Sequence, residues 1–330
     1  MASLSDLIDA ALETTVVLSF TNVGCRARRR LFDWPDLATM RMEGRVVVVT
    51  GGNSGLGHAA ASQLVAQGAA VRLVVRDRQR GEAARGRLLD AKPGADVTVH
   101  VADMSEMDSV RAVASDLRAH DPAIDVLVNN AGGLLAERRT TSSGLEITFA
   151  TMVLGPFLLT RELIPSMEAA AASRGRSRVV NVASGGMYTQ GLHLDDLQME
   201  RNYRGSVAYA RAKRAQVVLT ETWARRLRDR NITVNAMHPG WADTPGLEAG
   251  LPTFRKLTGR FLRSGEEGAD TIVWLAVSDE AARWTGKFWL DRRPRSTERQ
   301  RGTYTTPEQA QQLWDVCERL SREGEAATPQ

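Results

Sequence analysis

Apolar residues along this chain fall into short β-branched runs separated by longer stretches with helical spacing. The first run, Val46–Val49, is four consecutive valines, the pattern of a strand buried on both faces. A glycine-rich turn follows. His58–Ala69 then puts Ala60, Leu64 and Val65 on one helical face. The alternation recurs. Strands are predicted at Ala70–Val75, Val97–Val101, Ile124–Asn129, Arg178–Ala183, Ile232–Met237 and Lys287–Leu290. Helices are predicted at Arg78–Leu89, Ser105–His120, Gly144–Ala171 and Ser206–Arg228. Ser105 is the expected N-cap of its helix. Gly155-Pro156 and Pro165 are expected to bend or end the long one. Strands alternating with helices throughout predict an α/β fold, a single doubly wound parallel sheet flanked by helices.

Three stretches stand outside that rhythm. In residues 1–44, Leu4, Leu7, Ile8, Ala11 and Leu12 share helical spacing, Val16–Leu18 and Phe20 extend the apolar character, and Arg26, Arg28, Arg29 and Arg30 follow. One reading is an amphipathic helix on a membrane surface, its arginines toward anionic lipid. The favoured reading is a helix packed on the body of the protein or on a second subunit, because a basic face is usually just solvated. Asp243–Leu262 carries Pro245-Gly246, Gly250, Pro252 and Gly259. It leaves the carboxyl end of the sixth strand, where ligands bind in open α/β sheets, and is expected to cover a substrate. At the far end, Thr306, Pro307 and Gln309 form a capping box with proline at the first helical position, which predicts a helix to about Ser321 and a disordered polar tail. The expected organisation is a helical extension (1–44), a core domain (45–300), and a C-terminal helix and tail (301–330).

Composition narrows the classes. The net charge of +4 is small for 330 residues and calls for no nucleic-acid partner. Cys25 and Cys317 make no disulfide framework, so a reducing, cytoplasmic setting is expected, with surface membrane contact through residues 4–30 as a further option. The five histidines show no metal-ligand spacing, so no metal is expected. No apolar run looks long enough to span a bilayer.

The glycine turn reads Thr50, Gly51, Gly52, Asn53, Ser54, Gly55, Leu56, Gly57. Strand, glycine turn and helix together form the phosphate-binding opening of a Rossmann dinucleotide fold, where the helix N-terminus offers free N–H groups. Glycines at 51, 55 and 57 depart from the usual G-x-G-x-x-G, so this stretch alone is weak evidence. Tyr209 and Lys213 lie four apart and share a helix face. An ammonium near a phenol lowers its pKa, which suits the phenol to proton transfer at an alcohol or carbonyl oxygen. Ser184 ends the fifth strand, where its hydroxyl could hold the same oxygen.

Taken in order, Thr50-Gly51-x-x-x-Gly55-x-Gly57, Asp103, Asn129-Asn130-Ala131-Gly132, Ser184, Tyr209-x-x-x-Lys213 and Pro239-Gly240 with Thr244 resemble the short-chain dehydrogenases/reductases. The resemblance covers roughly residues 45–290. It implies an NAD(P)-dependent oxidoreductase that interconverts an alcohol and a ketone or aldehyde. Ser184, Tyr209 and Lys213 would be its catalytic residues: Tyr209 the acid/base, Lys213 lowering its pKa and holding the nicotinamide ribose, Ser184 orienting the carbonyl. Cofactor contacts would come from Thr50, Gly51, Asn53, Ser54, Gly55, Leu56 and Gly57 at the pyrophosphate. Asp103 and Met104 would serve the adenine side, Asn130, Ala131 and Gly132 the middle, and Pro239, Gly240 and Thr244 the nicotinamide end. The family's long helices often pair subunits, which leaves a homo-oligomer open.

Arg76 ends the second strand, with Arg78 and Arg80 nearby, which favours the 2′-phosphate of NADP over NAD. Asp77 argues the other way. One departure from the family stands at Met152, where an asparagine normally helps hold a water behind the lysine. A thioether is a weak acceptor and donates nothing. The alternative to an enzyme is therefore a cofactor-binding sensor or scaffold with little turnover. Met187, Leu192, Trp241, Leu247 and Leu251 near the expected site suggest a small lipophilic substrate.

Overall fold

The computed structural model describes residues 3–244, 246, 252–299 and 302–323. Its strands are β1 (Val46–Thr50), β2 (Ala70–Val75), β3 (Val97–Val101), β4 (Val126–Asn129), β5 (Ser177–Val182), β6 (Ile232–Met237), β7 (Phe288–Leu290) and β8 (Arg293–Arg295). Its helices are α1 (Leu4–Glu13), α2 (Val16–Phe20), α3 (Asn22–Leu31), α4 (Gly55–Ala66), α5 (Arg78–Ala91), α6 (Met107–His120), α7 (Ile147–Phe149), α8 (Gly155–Arg174), α9 (Gly205–Arg226), α10 (Pro252–Thr258), α11 (Gly265–Val277) and α12 (Pro307–Arg322).

The strands form one sheet in the order β3-β2-β1-β4-β5-β6-β7-β8. Val47, Val48 and Val49 of β1 are fully buried, as the valine run requires. α4, α5 and α11 cover one face, packing Leu64, Leu88 and Trp274 against it. α6, α8, α9 and α12 cover the other with Leu117, Phe157, Trp223 and Trp314. The reversal of strand order between β1 and β4 is the topological switch point where such sheets bind ligands.

Several expectations need correction. The sheet is not wholly parallel: β8 returns antiparallel to β7. Asp291 and Arg292 join the two strands with φ of 54° and 55°, the paired positive φ of a type I′ turn. Ser105 does not cap α6. Glu106 holds that position, and Ser105 turns back to Asp103, giving it a backbone N–H at 2.9 Å and a hydroxyl at 2.7 Å. The long helix begins at Ile147 and neither stops nor is replaced at Gly155-Pro156. A π-helical turn, Ala150–Leu154, widens it just before that pair, and Pro156, which has no N–H to donate, follows directly on that irregular turn. Pro165 lies inside α8. Residues 147–174 are in fact long and apolar enough to cross a membrane, but 72% of the apolar window is buried inside the fold. The helix is a core element.

The N-terminal extension folds as three short helices docked through buried charges. Arg28 is fully buried and bonds Asp9 at 2.6 Å, Glu13 at 2.8 Å and Asp291 at 2.7 Å. Arg263 grips the same Asp291 carboxylate at 2.5 and 2.9 Å. Arg28 therefore faces the body of the protein, not lipid. The apolar side of α1 and α2 stays outside: Leu4, Leu7, Ile8, Val16, Val17 and Leu18 are exposed. α12 forms as expected, opened by the Thr306–Gln309 capping box. The tail expected beyond it, residues 324–330, lies outside the described residues.

Candidate active site

The glycine turn is braced from β4. Thr50 Oγ1 accepts the N–H groups of Asn130 and Ala131, both at 3.0 Å. Asn130 Nδ2 donates to the Thr50 and Gly51 carbonyls at 2.9 and 3.3 Å. At Gly57 a side chain is excluded, because a Cβ would lie 2.4 Å from Asn130 Nδ2 and 2.5 Å from the Gly51 carbonyl oxygen. Ser54 begins α4 without a side-chain cap, so the first N–H groups of that helix remain for an anion. A bare cradle at an uncapped helix start fits a pyrophosphate. Leu56 packs toward Gly268 of α11, where a Cβ would also meet Ala242 and Pro239. Asn53 accepts Arg87 Nη2 through its carbonyl at 3.2 Å.

Around the cradle, Asp77 caps α5, its carboxylate accepting the Arg80 N–H at 3.0 Å. Arg76 is exposed at the end of β2. Asp103 Oδ1 is taken by Ser105. Met104 buries its side chain in the core, which leaves only its backbone for a ligand. Gly240 needs its φ of +72°, and a Cβ there would lie 2.3 Å from Arg263 Nε. Burial, and then the charge of Arg263, pushes His238 down to about 3, so it stays neutral and accepts the Gly240 N–H at 3.2 Å. Thr244 follows, half-buried.

Ser184, Tyr209 and Lys213 meet beyond the carboxyl end of β5. Burial pushes the Tyr209 phenol up, and the Ser184 hydroxyl bonded to it pulls the other way. Ser184 Oγ also accepts the Gly186 N–H at 3.2 Å. Lys213 is buried, and burial alone pushes it down to about 7. Its Nζ lies 5.6 Å from the Tyr209 ring centroid and donates to the Val182 carbonyl at 2.7 Å and Gln216 Oε1 at 3.2 Å. The shift of the Tyr209 phenol thus comes from burial and from Ser184, with no contribution from Lys213. Met152 sits within the π turn, fully buried, its sulfur against Gly132.

Two residues were missed in the sequence. Gln216 is one; its spacing of three from Lys213 was the available signal. Phe20 is the other. It accepts the Trp241 N–H through its carbonyl at 2.7 Å, stacks edge-on against His238 at 4.4 Å, and lies against Gly185, next to Ser184. No local pattern joins residue 20 to that loop. Of the apolar candidates, Met187 is core rather than pocket wall, while Trp241 and Leu192 are half-buried. Leu247 and Leu251 lie outside the described residues.

Comparison with known proteins settles the class. The family model for short chain dehydrogenases matches residues 45–251. The chain belongs to the short chain dehydrogenase family. It is 40% identical over 291 residues to dehydrogenase/reductase SDR family member 12 of Bos taurus, covering 87% of this chain and 90% of that one. Retinol dehydrogenase 14 of Homo sapiens is 34% identical over 297 residues, covering 84% and 86%. Among solved structures, the RhlG–NADP complex of Pseudomonas aeruginosa is 26% identical with a TM-score of 0.62, covering 75% and 94%. The 3-ketoacyl-(acyl-carrier-protein) reductase of Brucella melitensis, complexed with NADH, is 26% identical with a TM-score of 0.60, covering 74% and 96%. As a short chain dehydrogenase the chain is an NAD(P)-binding oxidoreductase acting on CH–OH groups.

Proposed function

We propose that this short chain dehydrogenase uses NADP(H) to interconvert a lipophilic alcohol and its ketone or aldehyde. The observation that carries the reading is the meeting of Ser184, Tyr209 and Lys213 beside a bare glycine cradle. Residues 45–300 form the working domain, with 1–44 and 301–330 as helical additions. The glycine turn with Asn53, Ser54 and Leu56 takes the pyrophosphate, Asp103 and the Met104 backbone the adenine side. Asn130, Ala131 and Gly132 line the middle, and Pro239, Gly240 and Thr244 the nicotinamide end. Once bound, the nicotinamide supplies or accepts the hydride. In reduction, Tyr209 Oη gives its proton to the carbonyl oxygen while Ser184 Oγ hydrogen-bonds to that oxygen. A protonated Lys213 then stabilises the phenolate left behind.

Asp77 Oδ1 is engaged in capping α5, and Arg76 stands exposed beside it, which supports Arg76 as a phosphate ligand. Arg76→Ala weakens NADPH binding by about 10- to 100-fold, the size of one lost charged hydrogen bond, and leaves NADH nearly unchanged. Fluorescence titration with both reduced cofactors checks this, and tighter NADH binding by the wild type contradicts it.

The lipophilic substrate is supported by the retinol dehydrogenase relative. The exposed face of Leu4, Leu7, Ile8, Val16, Val17 and Leu18 further supports work at a membrane surface. In flotation with anionic liposomes the wild type rises with the vesicles, and a Leu7→Asp, Val17→Asp double variant stays below. A wild type that never floats ends the membrane reading. The test of the activity is a panel of apolar aldehydes and ketones with NADPH. Turnover supports the enzyme, whereas saturable NADPH binding with no turnover on any member returns the sensor reading.

A further inference from the structure

Near neutral pH a buried lysine that titrates at about 7 is only marginally charged, so each acceptor on its Nζ matters. Lys213 has two such acceptors. The first is the Val182 backbone carbonyl at 2.7 Å, fixed by β5. The second is Gln216 Oε1 at 3.2 Å, the only acceptor described there that belongs to a side chain. Met152 faces the same corner across Gly132, where a Cβ would stand 2.8 Å from its sulfur and 3.8 Å from Lys213 Nζ. Its thioether cannot replace an amide acceptor.

Gln216 is well fixed for this work. It is buried, one helical turn beyond Lys213. Its backbone carbonyl accepts Thr220 Oγ1 at 2.8 Å, Thr220 Oγ1 accepts Asn181 Nδ2 at 2.8 Å, and Asn181 Oδ1 accepts Asn129 Nδ2 at 2.9 Å. This series of buried bonds ties that turn of α9 to β5 and β4. Tyr209 is the titratable group beside Lys213, and no charged side chain contributes to the lysine's shift.

We propose that Gln216 is the positioning residue of the catalytic lysine, holding the Lys213 ammonium from within α9 in a site where Met152 has replaced the family's asparagine. The proposal rests on reading Tyr209 and Lys213 as the acid/base pair. An acceptor favours the charged form, so removing it lowers the lysine pKa and replacing it by a carboxylate raises it.

The chain has four lysines, Lys92, Lys213, Lys256 and Lys287, so lysine labelled with 13C at Cε gives a readable NMR titration of the cofactor-free protein. A Lys213→Ala spectrum assigns the signal. Lys213 titrates well below the other three in the wild type, about one unit lower still in Gln216→Leu, and at least about one unit higher in the near-isosteric Gln216→Glu. The alkaline limb of the NADPH-dependent reduction profile moves in the same two directions, which a merely structural role would not produce. An unmoved Lys213 titration in a folded Gln216→Glu overturns the proposal, whatever the activity. Shifted titrations without turnover by any form, wild type included, support the positioning of the lysine and overturn the enzyme reading instead.

Discussion

Tyr209→Phe lowers kcat for carbonyl reduction by about 100- to 10,000-fold, the usual contribution of a positioned general acid, and leaves NADPH binding in place. The ring still packs where it did, and Lys213 keeps its bonds to Val182 and Gln216, since neither involves the phenol oxygen. What disappears is the phenol proton, bonded to Ser184, that the proposed mechanism gives to the substrate oxygen. Burial raises the phenol, so Tyr209 stays protonated through neutral pH and is ready as an acid in the reductive direction. Oxidation of an alcohol needs the phenolate, and its rate therefore climbs with pH. Steady-state kinetics in both directions, with cofactor titration of the variant, measure this. A variant that keeps more than about a tenth of wild-type kcat removes Tyr209 from the acid/base role.

Asp291→Ala destabilises the protein by about 3–5 kcal/mol, the cost of breaking a buried charge cluster by removing one partner. Arg263 is then left with backbone carbonyls in place of its carboxylate, an uncompensated charge, while Arg28 keeps Asp9 and Glu13; both arginines are essentially without solvent contact. The turn at Asp291 and Arg292 also loses the clamp on its left-handed backbone. Burial pushes the Asp291 carboxyl up, but Arg263 and Arg28 outweigh it and hold the group below the usual carboxylate range. A depressed folded pKa means the stabilisation is complete above the unfolded value of about 3.9 and is lost as pH falls through the folded one. Urea unfolding at pH 7 against pH 3 therefore shows the variant's deficit shrinking at the acid end. Because Arg28 belongs to α3 and Asp291 to the β7–β8 turn, the extension loosens first, and Phe20 with it. A deficit under about 1 kcal/mol at pH 7 would place the cluster among ordinary surface pairs.

The parts that were legible in the sequence share a cause. Parallel strands buried on both faces must be apolar runs, so β1, β2, β3 and β6 could be read almost to the residue, and β7 to within one. That Ser184, Tyr209 and Lys213 come together was legible because the helical spacing of Tyr209 and Lys213 and the place of Ser184 at the end of the fifth strand fix their neighbourhood. What escaped depends on tertiary contact. β8 is Arg-Pro-Arg, with no apolar alternation, and exists because its neighbours Asp291 and Arg292 are clamped by ions from distant segments. α11 was overlooked although the Ser264–Glu267 capping box announced it. Arg28 read as a surface charge, since nothing local reveals Asp9, Glu13 and Asp291 closing around it. Met152 read as a defect. It sits in a π turn, and Lys213 nearby bonds Gln216 Oε1, an acceptor not singled out in the sequence.

The most direct test of the account is the fate of the hydride. Wild-type protein is incubated with NADPH carrying deuterium at the transferable C4 position and with the best carbonyl from the panel, and the alcohol is examined by mass spectrometry and NMR. The account predicts one deuterium on the carbinol carbon, and none when Tyr209→Phe replaces the wild type over the same interval. Tight NADPH binding by the wild type with no deuterium delivered to any carbonyl would contradict it.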